Sequence, residues 1–81
     1  MKIETITVPS LGESATEVTV VEWLRSPGEW VDEGEPLVAV ETDKVDTELP
    51  SPFGGTLREV LADAGATLPI GGALATIDVA D

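Results

Sequence analysis

Residues 20–41 read VVEWLRSPGEWVDEGEPLVAVE, and when the chain is slid along itself by 37 positions they lie over residues 57–78, LREVLADAGATLPIGGALATID. Glu22, Leu24, Gly28, Gly34 and Leu37 meet Glu59, Leu61, Gly65, Gly71 and Leu74, and the apolar pairs Val20/Leu57, Trp23/Val60, Val31/Leu68 and Val40/Ile77 follow in step. Matching glycines have a conformational reason: a turn that needs positive φ accepts Gly at little steric cost and other residues only with strain. Two copies are too few for a solenoid, which needs about three repeats to bury a continuous face. They predict an all-β fold, a flattened barrel or sandwich of two small antiparallel sheets related by an internal pseudo-two-fold axis.

The local signals agree. Val, Ile and Thr are abundant, and Pro or Gly punctuates the chain at short intervals, as in a small sandwich or barrel. Strands are predicted near 3–8, 16–24, 36–42, 45–49, 55–62 and 73–79, with short pieces near 30–32 and 67–69. Propensity alone would make 56–64 (TLREVLADA) helical; the repeat argues against it.

Composition bounds the chemistry. Eighty-one residues make one small domain, with room for a core and hardly for a deep pocket. The chain has neither Cys nor His, so disulfides, thiolate nucleophiles, Cys/His zinc sites and Ser/His/Asp triads are ruled out within it, and no metal site is expected. Sixteen acids against four bases give a formal charge of −12, which repels nucleic acid and anionic membrane surfaces. No apolar run approaches the roughly 20 residues that span a bilayer, and MKIETITV lacks the apolar stretch of a signal peptide. The expectation is a soluble, cytoplasmic protein, or one of the mitochondrial matrix in a eukaryote. The excess acid fits solubility and fits steering toward a basic partner; composition leaves both open.

Only two lysines occur, Lys2 and Lys44, and the second sits inside an acidic stretch, ETDKVDTE at 41–48. The strand PLVAVET and the strand VDTEL leave a very short connection with Asp43 and Lys44 at its tip; without Gly or Asn it suits a type I rather than a type I′ turn. Period two then puts Val45, Thr47 and Leu49 on one face and Asp46 and Glu48 on the other, with Lys44 pointing away from the domain. Exposed ion pairs with Glu41, Asp43 or Asp46 would contribute about 0–1 kcal/mol, so stability gives little reason for this lysine. A Schiff-base lysine needs burial or a cationic neighbour, and here the neighbours are carboxylates. A solvated charge and a target for covalent modification by another enzyme remain.

At this point VPSLGES at 8–14, WLRSPGEWVDEGEPLVAVETDKV at 23–45 and the paired glycines 54–55 become specific. Over essentially its full length the chain resembles a lipoyl domain of the dihydrolipoamide acyltransferase (E2) component of a 2-oxo acid dehydrogenase complex. The resemblance implies a biotinyl/lipoyl-carrier fold and places covalent lipoic acid on Lys44, with Asp43 and Val45 setting the approach of the lipoate-attaching enzyme. It implies that Leu11, Gly12, Glu13 and Ser14 contribute to recognition by a thiamine-diphosphate-dependent decarboxylase (E1); on the residues alone they are equally a polar turn. Further implied partners are the E2 acyltransferase core and a flavin dihydrolipoyl dehydrogenase (E3). The isolated domain is then a monomeric carrier and not itself an enzyme, and residues 1–81 form a single domain in the N-terminal part of a longer acyltransferase chain. Trp23 and Trp30 are assigned to packing in the core or at its edge.

Two rivals remain, beside a third that eighty-one residues are too few to fit. A biotinyl carrier shares the architecture but typically flanks its lysine with methionines, where this chain has Asp43 and Val45. The glycine-cleavage H protein also carries lipoyl-lysine, on a longer chain. An unmodified acidic interaction module would use the same face with Lys44 merely solvated. A carboxylate hydrolase gains nothing from many acids without a cleft, and DKVDTE lacks the loop glycine and ligand spacing of an EF-hand. The ETDKV motif leans slightly toward a 2-oxoglutarate complex, with pyruvate and branched-chain complexes open.

Overall fold

In the computed structural model, which describes residues 2–10 and 16–80, each of the four repeated glycines has positive φ: 95° and 96° at Gly28 and Gly65, 89° and 87° at Gly34 and Gly71. Each is the third residue of a turn closed by a backbone bond from residue four to residue one: Glu29 N to Ser26 O, Glu35 N to Asp32 O, Ala66 N to Asp63 O and Gly72 N to Pro69 O. Positive φ at the third position is the signature of a type II turn, and Pro27 supplies the favoured second residue of the first. The turns therefore repeat in space because their φ requirement repeats in sequence.

Among the described residues the turns lie between eight strands: β1 (Lys2–Thr7), β2 (Glu17–Trp23), β3 (Trp30–Val31), β4 (Pro36–Glu41), β5 (Asp46–Pro50), β6 (Gly55–Val60), β7 (Thr67–Pro69) and β8 (Ala73–Val79). They form two antiparallel four-stranded sheets, in the orders β1-β8-β6-β3 and β5-β4-β2-β7. The offset of 37 maps β2, β3 and β4 onto β6, β7 and β8, leaving β5 as the counterpart of β1. The linking bonds follow: Gly28 N to Leu57 O answers Gly65 N to Val20 O, and Gly34 N to Ser51 O answers Gly71 N to Val8 O. The expected all-β pseudo-two-fold architecture is what the chain adopts, and 55–60 is strand rather than helix.

The inner faces of both sheets meet in one core. Val18, Val20, Leu37, Val38, Val40 and Leu49 pack against Ile6, Val31, Leu57, Leu74, Ala75 and Ile77, all buried. Burying each such side chain is worth about 1.5–3 kcal/mol, against chain entropy of similar total size. Strict alternation breaks at four places, two related pairs. Register shifts around Leu37 and Leu74 turn two consecutive residues inward, so Leu37/Val38 and Leu74/Ala75 are all buried. Shifts around Val21 and Arg58 turn two outward, so Val21/Glu22 and Arg58/Glu59 are all exposed. An extra residue in one strand shifts its parity by one, and here each shift recurs 37 residues on. Trp23 packs on the core and donates its Nε1–H to Ala62 O at 2.8 Å, whereas Trp30, on the edge strand β3, is 52% exposed and donates to Asp32 Oδ1 at 2.7 Å.

Candidate functional site

β4 and β5 pair in unbroken register from Val38↔Leu49 to Glu41↔Asp46, so the chain must reverse within Thr42–Val45. Thr42 N donates to Val45 O at 2.8 Å, which closes a bend with Asp43 and Lys44 at its tip. No residue other than glycine has positive φ among those described, which excludes the type I′ turn and agrees with the expected one.

The loop is held from inside by Thr42. Its Oγ1 accepts from Lys44 N at 3.2 Å and from Val45 N at 3.1 Å, and lies 3.3 Å from Val45 O as donor. A threonine hydroxyl capping the backbone two and three residues on is a local turn device, and it satisfies amides that would otherwise face only water. Sequence reasoning misses Thr42, although a hydroxyl residue just before a two-residue tip is the available signal.

The lysine therefore stands exposed at the apex of a backbone-defined bend, with exposed Asp43 before it and Val45, 40% exposed, after it. Behind the tip, Glu41 and Asp46 face each other across the strands, followed on the same outer face by Glu48 opposite Ala39. Thr47 is half-buried and Leu49 buried, as the face assignment required. Leu11, Gly12, Glu13 and Ser14 lie outside the described residues. Among the described residues no group of three or more acidic side chains is arranged to hold a metal ion, and no helix is long and apolar enough to cross a membrane.

An exposed primary amine at such an apex is within reach of another enzyme that acylates it. The hairpin can present a substituent to another protein's cleft.

Comparison with known proteins fits this arrangement. The Biotin_lipoyl family, described as biotin-requiring enzyme, matches residues 4–77. The dihydrolipoyllysine-residue acetyltransferase component of the pyruvate dehydrogenase complex of Mycobacterium bovis is 56% identical over 75 residues, covering 93% of this chain and 14% of that protein. The succinyltransferase component of the 2-oxoglutarate dehydrogenase complex of Bacillus subtilis is 47% identical over 72 residues, covering 89% of this chain and 17% of that protein. In solution, the lipoyl domain of the 2-oxoglutarate dehydrogenase complex of Azotobacter vinelandii superposes with a TM-score of 0.72 at 34% identity, covering 91% of this chain and 94% of that one. A single-chain, multi-domain long-chain acyl-CoA carboxylase shares the fold at 22% identity, with a TM-score of 0.78 over 98% of this chain and 7% of that one.

Proposed function

The chain belongs to the biotin/lipoyl-carrier family as a lipoyl domain of the kind found in E2 components of 2-oxo acid dehydrogenase complexes, and from that premise we propose that Lys44 carries lipoic acid in amide linkage. The observation that carries the reading is the Thr42-capped bend, which holds one exposed amine at a fixed place between two paired strands. A modifying enzyme that must find a single lysine needs this rigidity. Amide formation removes the lysine charge and takes the formal net charge from −12 to −13.

When bound, lipoic acid supplies a dithiolane that accepts an acyl group with reduction and passes it to a thiol acceptor. The chain's own contribution is positional. Asp43 and Val45 flank the modified residue and set how the lipoate-attaching enzyme reaches it. The paired strands fix the base of the arm, so that a tethered group meets successive partners at an effective concentration that can reach the millimolar range. Those partners are an E1 decarboxylase, an E2 acyltransferase core and an E3 dihydrolipoyl dehydrogenase, with Leu11, Gly12, Glu13 and Ser14 contributing to E1 recognition. The chain spans 14% and 17% of the two curated relatives described above; residues 1–81 are accordingly proposed as one carrier domain of a longer acyltransferase.

Biotin is the second reading, because the matching family includes biotin carriers and the carboxylase shares the fold. Asp43 and Val45 in place of flanking methionines favour lipoate. Intact mass spectrometry after co-expression with lipoate- and biotin-attaching enzymes decides between them. A lipoyl increment on the wild type and none on Lys44→Ala is expected; a biotinyl increment, or no adduct, would overturn the proposal.

A further inference from the structure

The two bulges on the outer faces are equivalent in backbone and differ in side chain. In the second copy the bulged residue is Arg58, whose guanidinium lies 3.6 Å from Asp78 on the neighbouring strand β8. In the first copy the same place is held by Val21, and the place of Asp78 by Glu41 on β4. Where Ile3 stands opposite Asp78, Asp46 stands opposite Glu41. The copy that ends in the hairpin has gained a carboxylate and has no arginine at that position.

Around Val21, 48% exposed, this leaves an outward depression of about 270 Å³ with Ala39 and Val40 lining it and Glu41, Asp46 and Glu48 beside them. Like charges directly opposite on paired strands destabilise a sheet, so Glu41 and Asp46 face each other at some cost to folding. A planar guanidinium on an aliphatic stem complements such a place: the stem covers Val21 and the fork bridges two carboxylates, in a way a compact ammonium does not.

We infer that this depression receives an arginine from a protein partner, supplied in trans where Arg58 serves the other copy in cis. The inference rests on the carrier reading above, because Glu41 and Asp46 lie within three residues of Lys44 and a partner seated there would be positioned to engage the tip. The partner is the E1 decarboxylase, which must hold the lipoylated arm while it is acylated and gains register from a charge contact beside it.

The test uses fully lipoylated domain as substrate for the decarboxylase of the same complex. Val21→Arg fills the depression from within and should raise KM about tenfold with kcat unchanged, the mark of lost binding rather than lost chemistry. Val21→Gln, of similar bulk without the charge, should stay within about threefold of wild type, and Asp46→Asn should raise KM about threefold. Ile3→Arg adds the same charge to the other sheet and should leave the kinetics unchanged. A Val21→Arg or Asp46→Asn domain with wild-type KM, or an Ile3→Arg domain impaired as much as Val21→Arg, overturns the inference and leaves the carrier reading standing. Absence of a lipoyl increment on wild type overturns both.

Discussion

The two halves share a backbone to the level of turns, glycine conformations and bulges, and they part company at one end. In one sheet, β4 runs through Thr42–Val45 directly into β5; in the other, the equivalent β8 lies beside β1 with no turn between them. Both available lysines sit at these related ends. Lys44 crowns the closed hairpin, and Lys2 lies on a strand opposite Val79, paired with Glu4 at 3.6 Å. The duplicated part builds the scaffold, and the proposed function sits where the duplication is broken. A lysine's chemistry is the same at either end; what differs is how tightly the backbone defines its position.

The most severe break of the equivalence lies at Gly55, which occupies the place of Val18 in the other copy. A Cβ at Gly55 would collide with the carbonyl oxygen of Asp78, backbone that cannot step aside. Gly55→Ala should cost at least about 3 kcal/mol in denaturant unfolding, far more than the exchange of a surface residue. The related turns offer a test of symmetry itself. Gly28 and Gly65 have φ of 95° and 96° with open space around the missing Cβ, so alanine at either should cost about 1–2 kcal/mol from backbone strain alone. The two values should agree within about 0.5 kcal/mol; a large disparity would show that the halves differ in more than their ends.

Thr42→Val has no counterpart experiment, because no hairpin turn joins the equivalent strands β8 and β1 of the other sheet. Loss of two weak capping bonds at an exposed site should cost about 1 kcal/mol. Slower lipoylation in a timed mass assay should accompany it, through a looser tip. Smallest of all is Arg58→Met, which removes the ion pair to Asp78 but keeps the stem. With Arg58 half-exposed, the thermal midpoint should move by no more than about 0.5 kcal/mol would produce.

How far these features were legible depends on whether the backbone demands a particular residue. The turns were, because positive φ writes itself into sequence as glycine, and a recurrence of 37 residues then fixed which strands correspond. The strands followed within about two residues at each end, since Pro, Gly and β-branched residues mark them. The bulges were not legible. Val21 reads as one more apolar residue in a strand, and only the register with β4 shows it facing water. Gly55 reads as the first residue of a strand, and nothing in the pattern shows why glycine must stand there, because a close backbone approach leaves no periodic mark. Apolar bulk places Trp30 in the core or at its edge without choosing between them, and the residue lies half exposed on an edge strand. Lys44 stood out by isolation in an acidic stretch, while Thr42, which shapes its support, was hidden by the ordinariness of threonine in a strand.

Modification is expected to follow position at the hairpin apex rather than lysine as such. Peptide mapping of the domain after treatment with a lipoate-attaching enzyme tests this most directly. The lipoyl group should be found on the peptide containing Lys44 and not on that containing Lys2. Modification of both lysines to similar extent, or of Lys2 alone, would contradict it.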